Sequence, residues 1–115
     1  MVENTELPKE VVDKALQLVE IAKNAGKIKK GINETTKSIE RGEAKLVLIA
    51  GDVEPKEIVM HIPAICGEKK IPFMYIPNKR ELGRAAGLDV PSAAIAVEDV
   101  EDGKDLLKEV LSNLG

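Results

Sequence analysis

With 115 residues and 43 % apolar content, the chain is sized for a single folded domain spanning residues 1–115, with one modest core and no room for a second. One Phe, one Tyr and no Trp exclude an aromatic platform for stacking splayed bases, and a lone Cys66 excludes an internal disulfide. The net charge of −3 hides a division: residues 1–20 carry five acids against two bases and residues 98–115 six against two, while residues 21–97 carry thirteen bases against nine acids. A basic middle can steer phosphate even where the whole chain is acidic. The sequence shows no signal peptide, transit segment or long apolar run, so the expected compartment is the cytoplasm and no membrane role is expected.

The first helix is predicted to start near Pro8, a residue suited to a first turn, and to end at Gly26. Its apolar residues Val11, Val12, Ala15, Leu16, Leu18, Val19 and Ala22 recur at helical spacing, which makes it a packing helix. A short strand over Ile28–Gly31 follows, then a helix over Glu34–Arg41 closed by Gly42. The almost wholly apolar run Ala44–Ala50 reads as a central strand covered on both faces, and Gly51–Pro55 is the loop at its carboxyl end, where open α/β sheets place ligands. Next comes a helical segment with Ile58, Val59, Ile62, Ile65 and Cys66 directed at the core; Pro63 within it predicts a kink or two short helices meeting near His61.

Ile71–Ile76 is the third strand, and Pro77-Asn78-Lys79-Arg80-Glu81 has the form of a capping box with Asn78 as cap. That helix ends at Gly87. The loop Leu88-Asp89-Val90-Pro91 leads into a fourth strand over Ala93–Val97, and a last amphipathic helix presents Leu106, Leu107, Val110, Leu111 and Leu114. Strands alternating with helices imply an α/β layer architecture.

The stretch with the most chemistry is Lys27–Lys37, a basic strand running through Gly31 into the first turn of a helix. Asn33 is read as the N-cap, with Lys37 three residues from Glu34 and four from Asn33, so the three polar side chains project together at a helix N-terminus that also attracts phosphate. A carboxylate among lysines is repelled by phosphates and serves best as an acceptor for base N–H groups. Guanine offers such donors; Asn33 can both donate and accept on a base edge, Lys37 can donate to guanine O6 or N7, and the other lysines can sit on phosphates. The same residues also fit an ordinary capped helix with solvated charges.

Glu54, Ile58 and Lys79, at the starts of two helices after adjacent strands, can converge on one extruded base; plain surface charges are the alternative. Leu88 and Val90 either present an apolar contact surface or tuck against the preceding helix. His61 and Cys66 lack a second Cys or His to complete a metal site or a nucleophile pair, and Asp52 lacks the companion acids of a phosphoryl-transfer site. No phosphate-binding glycine motif occurs, so no cofactor and no enzymatic activity are expected.

Lys30-Gly31-Ile32-Asn33-Glu34-Thr35-Thr36-Lys37, followed by Glu40-Arg41-Gly42, resembles the signature of the archaeal ribosomal protein L7Ae family. Ala44–Pro55, His61-Ile62-Pro63 with Cys66, Ile71-Pro72-Phe73, and Lys79 through Leu82-Gly83-Arg84-Ala85 to Gly87 follow its pattern in order. The resemblance implies a three-layer α-β-α sandwich around a small mixed four-stranded sheet that binds kink-turn RNA, an internal loop with tandem sheared G·A pairs and a bent backbone. It assigns guanine reading to Asn33, Glu34 and Lys37, backbone approach to Gly31 and Ile32, the pocket of a flipped nucleotide to Glu54, Ile58 and Lys79, and an apolar rest for the RNA to Leu88, Asp89 and Val90, with Lys30 and Arg41 completing the RNA-binding set. The implied partners are 23S ribosomal RNA, box C/D and H/ACA guide RNAs and RNase P RNA, together with proteins of those particles, the free protein being a monomer. Gly51 and Ile32 depart from the family's pattern. The rival reading is a regulatory, protein-interaction α/β domain working through the Gly51–Pro55 and Leu88 loops.

Overall fold

A computed structural model describes residues 7–114. Helix α1 (Lys9–Asn24) buries Val11, Val12, Ala15, Leu18, Val19 and Ala22, the stripe its spacing predicts, with Leu16 at the margin. Strand β1 (Ile28–Lys30) and helix α2 (Ile32–Glu40) are separated by Gly31 alone. Strand β2 (Leu46–Ala50) is buried at every position, as an unbroken apolar run in a central strand must be. A 3-10 turn (Lys56–Val59) then meets helix α3 (His61–Lys69) at Met60, so two short helices stand where Pro63 predicted a break.

Strand β3 (Phe73–Ile76) leads to helix α4 (Lys79–Ala85), where Asn78 Oδ1 accepts the amides of Arg80 at 2.8 Å and Glu81 at 3.3 Å, the cap its sequence predicted. Strand β4 (Ala94–Val97), a 3-10 turn (Glu101–Gly103) and helix α5 (Lys104–Leu111) complete the chain. Helix α5 fully buries Val110 and half-buries Leu106, Leu107 and Leu111.

The sheet has the order β1-β4-β2-β3. Strands β2 and β3 are parallel, whereas β4 runs antiparallel to both of its neighbours, with Ala94 opposite Ile49 and Ile95 opposite Lys30 and Leu48. Helices α4 and α5 pack on α1 to form one layer, and α2 packs on α3 to form the other. The result is a three-layer α-β-α sandwich around a mixed four-stranded sheet, with an aliphatic core between the layers.

Two expectations are corrected. The second helix starts at Ile32 and not at Glu34, and its N-cap is Gly31, with φ 90° and ψ 164°. The Gly31 carbonyl accepts the Thr35 amide at 3.0 Å, so the helical ladder begins two residues before the capped start that Asn33 suggested. Ile58 does not face the core. The tighter 3-10 winding buries Val59 and leaves Ile58 43 % exposed.

Gly83 in α4 lets the following loop close on the helix, since a Cβ there would stand 2.2 Å from the Val90 carbonyl oxygen. Gly83→Ala is expected to lower the unfolding free energy by about 1–3 kcal/mol through this overpacking, measured by denaturant titration; an unchanged midpoint would show that the loop is not held against α4.

Candidate nucleic-acid interface

Because β1, β2 and β3 point the same way and β4 runs against them, the carboxyl ends of three strands and the start of the fourth share one edge of the sandwich. Hydrogen bonds fix this edge residue by residue. The Gly31 amide donates to the Ala94 carbonyl at 2.9 Å, Ala50 to Ala93 at 2.9 Å and Gly51 to Ile76 at 2.8 Å. The buried Ser92 hydroxyl also donates to Ala94, at 3.1 Å. Lys30–Lys37, Gly51–Ile58, Lys79 and Leu88–Val90 are thereby delivered to one end of the molecule, although they lie far apart in sequence.

At the centre is the first turn of α2. Gly31 holds a backbone conformation that a Cβ disfavours, and this lets the chain leave the sheet and enter the helix within one residue. The amides of Ile32, Asn33 and Glu34 have no intrahelical acceptor, as at any helix N-terminus, and make this turn attractive to anions. Asn33, Glu34 and Lys37 are exposed, while Thr35, Ser38 and Ile39 on the opposite face are buried. Burial on one face therefore fixes the polar triad on the other. Lys37 Nζ stands 3.9 Å from Glu34 Oε1, an exposed ion pair that is easily exchanged for other partners.

The turn is braced from α3. Thr36 Oγ1 lies 2.8 Å from the Ile32 carbonyl, to which it donates, and shares a 2.9 Å hydrogen bond with His61 Nε2. His61 thus joins the start of α3 to the middle of α2.

A second brace joins the loop after β2 to α4: Asp52 Oδ1 accepts the Lys79 amide at 2.8 Å. Glu54 and Ile58 are exposed and Lys79 is half-buried, all on these two joined segments. Beside them a cavity of about 450 Å³ opens between Gly51, Val53, Val59, Met60, Tyr75 and Pro77. Met60, 64 % exposed, escaped sequence reasoning because its helical spacing matched neither face of the broken segment. Asp52, Ser92 and the Thr36–His61 bond were equally invisible, since each depends on residues distant in the chain.

The Leu88 loop divides the two readings of its apolar residues: Leu88 is half-buried against the core and Val90 is 61 % exposed, with Asp89 exposed between them. Arg41 follows the last residue of nine-residue α2, one helical turn beyond Lys37 and roughly 15 Å along the helix from Gly31. Cys66 is buried in α3, and burial pushes its thiol up to about 11. Among the described residues, no group of three His, Cys, Asp or Glu side chains can hold a metal ion.

Fold and edge together define a small α/β sandwich that presents loops and a helix N-terminus at the ends of its strands. The chain belongs to the ribosomal protein L7Ae/L30e/S12e/Gadd45 family, which it matches over residues 13–107. It is similar to the 15.5kD RNA binding protein of Giardia lamblia, at 31 % identity over 99 % of this chain and 97 % of that one, with a TM-score of 0.90. A protein of unknown function from Bacillus halodurans is similar at 25 % identity over 83 % and 94 % of the two chains, with a TM-score of 0.70.

Gly31→Ala is expected to cost about 1–3 kcal/mol of stability through backbone strain, whereas Asn33→Ala should shift it by less than about 0.5 kcal/mol. Denaturant unfolding of both variants checks this, and a loss of about 1 kcal/mol for Asn33→Ala would restore that residue as a cap. Cys66 should resist alkylation at pH 8 in the native protein and react on unfolding, because its protonated, buried thiol offers little thiolate. Rapid native labelling would contradict its placement.

Proposed function

We propose that this protein binds RNA and recognises the kink-turn, stabilising its bent form without catalysing a reaction of its own. Membership of the family and likeness to an RNA binding protein support RNA as the ligand. The observation that carries the finer reading is the exposed Asn33, Glu34 and Lys37 triad on the first turn of α2, beside Gly31.

Glu34 suits the N–H donors of a guanine edge and is unsuited to phosphate, Asn33 can pair with an edge in both senses, and Lys37 can leave its exposed ion pair for O6 or N7. Lys30, exposed at the end of β1, is placed for phosphate contact that fixes register without reading sequence. Glu54, Ile58 and Lys79 would receive a flipped nucleotide and Val90 would rest on the bases it leaves behind. Free RNA samples extended and bent forms; a protein whose groups meet only the bent one shifts the population by that difference in affinity. In this reading the chain nucleates assembly of ribosomal, box C/D and H/ACA guide and RNase P particles, joining their other proteins on its remaining surfaces.

The test is a titration against a kink-turn RNA and a twin whose G·A pairs are replaced by Watson–Crick pairs. Asn33→Ala and Glu34→Ala should each cost about 1–3 kcal/mol on the first RNA and blunt the preference over the twin, whereas Lys30→Ala should weaken both RNAs alike and reduce the salt slope by about one. Equal loss on both RNAs for Asn33→Ala and Glu34→Ala would overturn base reading by this turn.

A further inference from the structure

The far wall of the Leu88 loop carries two cations that the triad does not use. Arg80 and Arg84 are exposed one turn apart on the same face of α4, separated by about 6 Å along its axis. With Leu88, Asp89, Val90 and Pro91 they enclose a hollow of about 510 Å³. Neither guanidinium has a carboxylate within ion-pair distance among the described residues.

The hollow is preformed. The Leu88 amide donates to the Gly83 carbonyl at 2.9 Å and the Ser92 amide to the Lys79 carbonyl at 3.0 Å, and the absent side chain of Gly83 lets the Val90 carbonyl close on the helix. One wall is thus a rigid loop whose exposed tip belongs to the interface described above. The other is a pair of planar donors of the kind that grips phosphate oxygens in two-point fashion.

We propose that Arg80 and Arg84 form a second RNA contact, binding the phosphodiester backbone of a duplex arm that continues past the kink over the Leu88 loop. The inference rests on the kink-turn reading of the same edge. Charge sets its direction and its end. Asp89 is a single carboxylate against two guanidinium groups, whereas beyond Arg84 the surface turns acidic, with Asp13, Glu20 and Glu81 lining the next hollow. A strand following the basic side would be released there. The contact would add affinity with no base preference, since it meets only the backbone.

The experiment compares wild type with the double variant Arg80→Gln/Arg84→Gln on three RNAs: a kink-turn with both arms long, the same motif with both arms trimmed to its immediate flanks, and the long twin lacking G·A pairs. On the long kink-turn the double variant should bind roughly ten-fold more weakly, with a salt slope lower by about two. The trimmed RNA should lose two-fold or less, and the preference for kink-turn over twin should be unchanged. Arg80→Lys/Arg84→Lys should recover most of the salt slope, and all variants should unfold at the wild-type midpoint.

No loss on the long RNA, or an equal loss on long and trimmed RNAs, would overturn the inference. Undiminished RNA binding with lost binding to polyglutamate would overturn it in favour of an acidic protein partner. Failure of wild type to prefer the kink-turn over its twin would instead remove the reading on which the inference rests, and is seen without any arginine variant.

Discussion

Strand β4 lies between β1 and β2 and runs against both, and the geometry of the candidate ligand edge follows from that insertion. Its first residues act as a clasp: the Ala93 carbonyl receives the Ala50 amide at the end of β2, and the Ala94 carbonyl receives the Gly31 amide at the end of β1. Were β4 to slip by one residue, every side chain on it would change face, and the fully buried run Ala94–Val97 would be driven out of register. The aliphatic core therefore fixes the position of the polar edge. Rigidity comes from strands, while the groups that meet a ligand stand on the turns the strands hold.

This division explains how a protein with a net charge of −3 can suit a polyanion. Its bases need not dominate the whole surface; they need only be free at the edge, and there Lys30, Lys79, Arg80 and Arg84 have no carboxylate within ion-pair distance among the described residues. Glu34 supplies the opposing element. A carboxylate at the centre of a basic edge penalises a phosphate laid directly on it and favours a base edge with N–H donors, so selectivity on the proposed reading comes from repulsion as much as attraction. The Thr36–His61 bond ties α2 to α3 on one side of that edge, and the Asp52–Lys79 bond ties the loop after β2 to α4 on the other.

Much of this was legible in the sequence because period and punctuation agree. Six positions of α1, the unbroken run of β2 and the Asn78 cap each follow from local chemistry and stand where expected. The start of α2 was misread because Asn33 is a stronger capping residue than Gly31 in isolation; the sheet bond from Gly31 to Ala94 decided the matter, and it lies sixty-odd residues away by sequence, on the order that only tertiary pairing can specify. Ile58 was misassigned because a helix of 3.6 residues per turn was assumed where a tighter turn forms. Arg41 joined the candidate set through its place in a motif, and it stands one helical turn beyond Lys37 at the end of α2.

On the proposed function, the end of the sheet where β1, β2 and β3 finish is the face that meets RNA. Backbone amide shifts of isotope-labelled protein, followed while a kink-turn RNA is added, test it most directly. The largest changes are expected at Gly31–Lys37, Gly51–Ile58, Lys79 and Leu88–Ala94, with α5 nearly silent. Changes confined to α5 would contradict this placement.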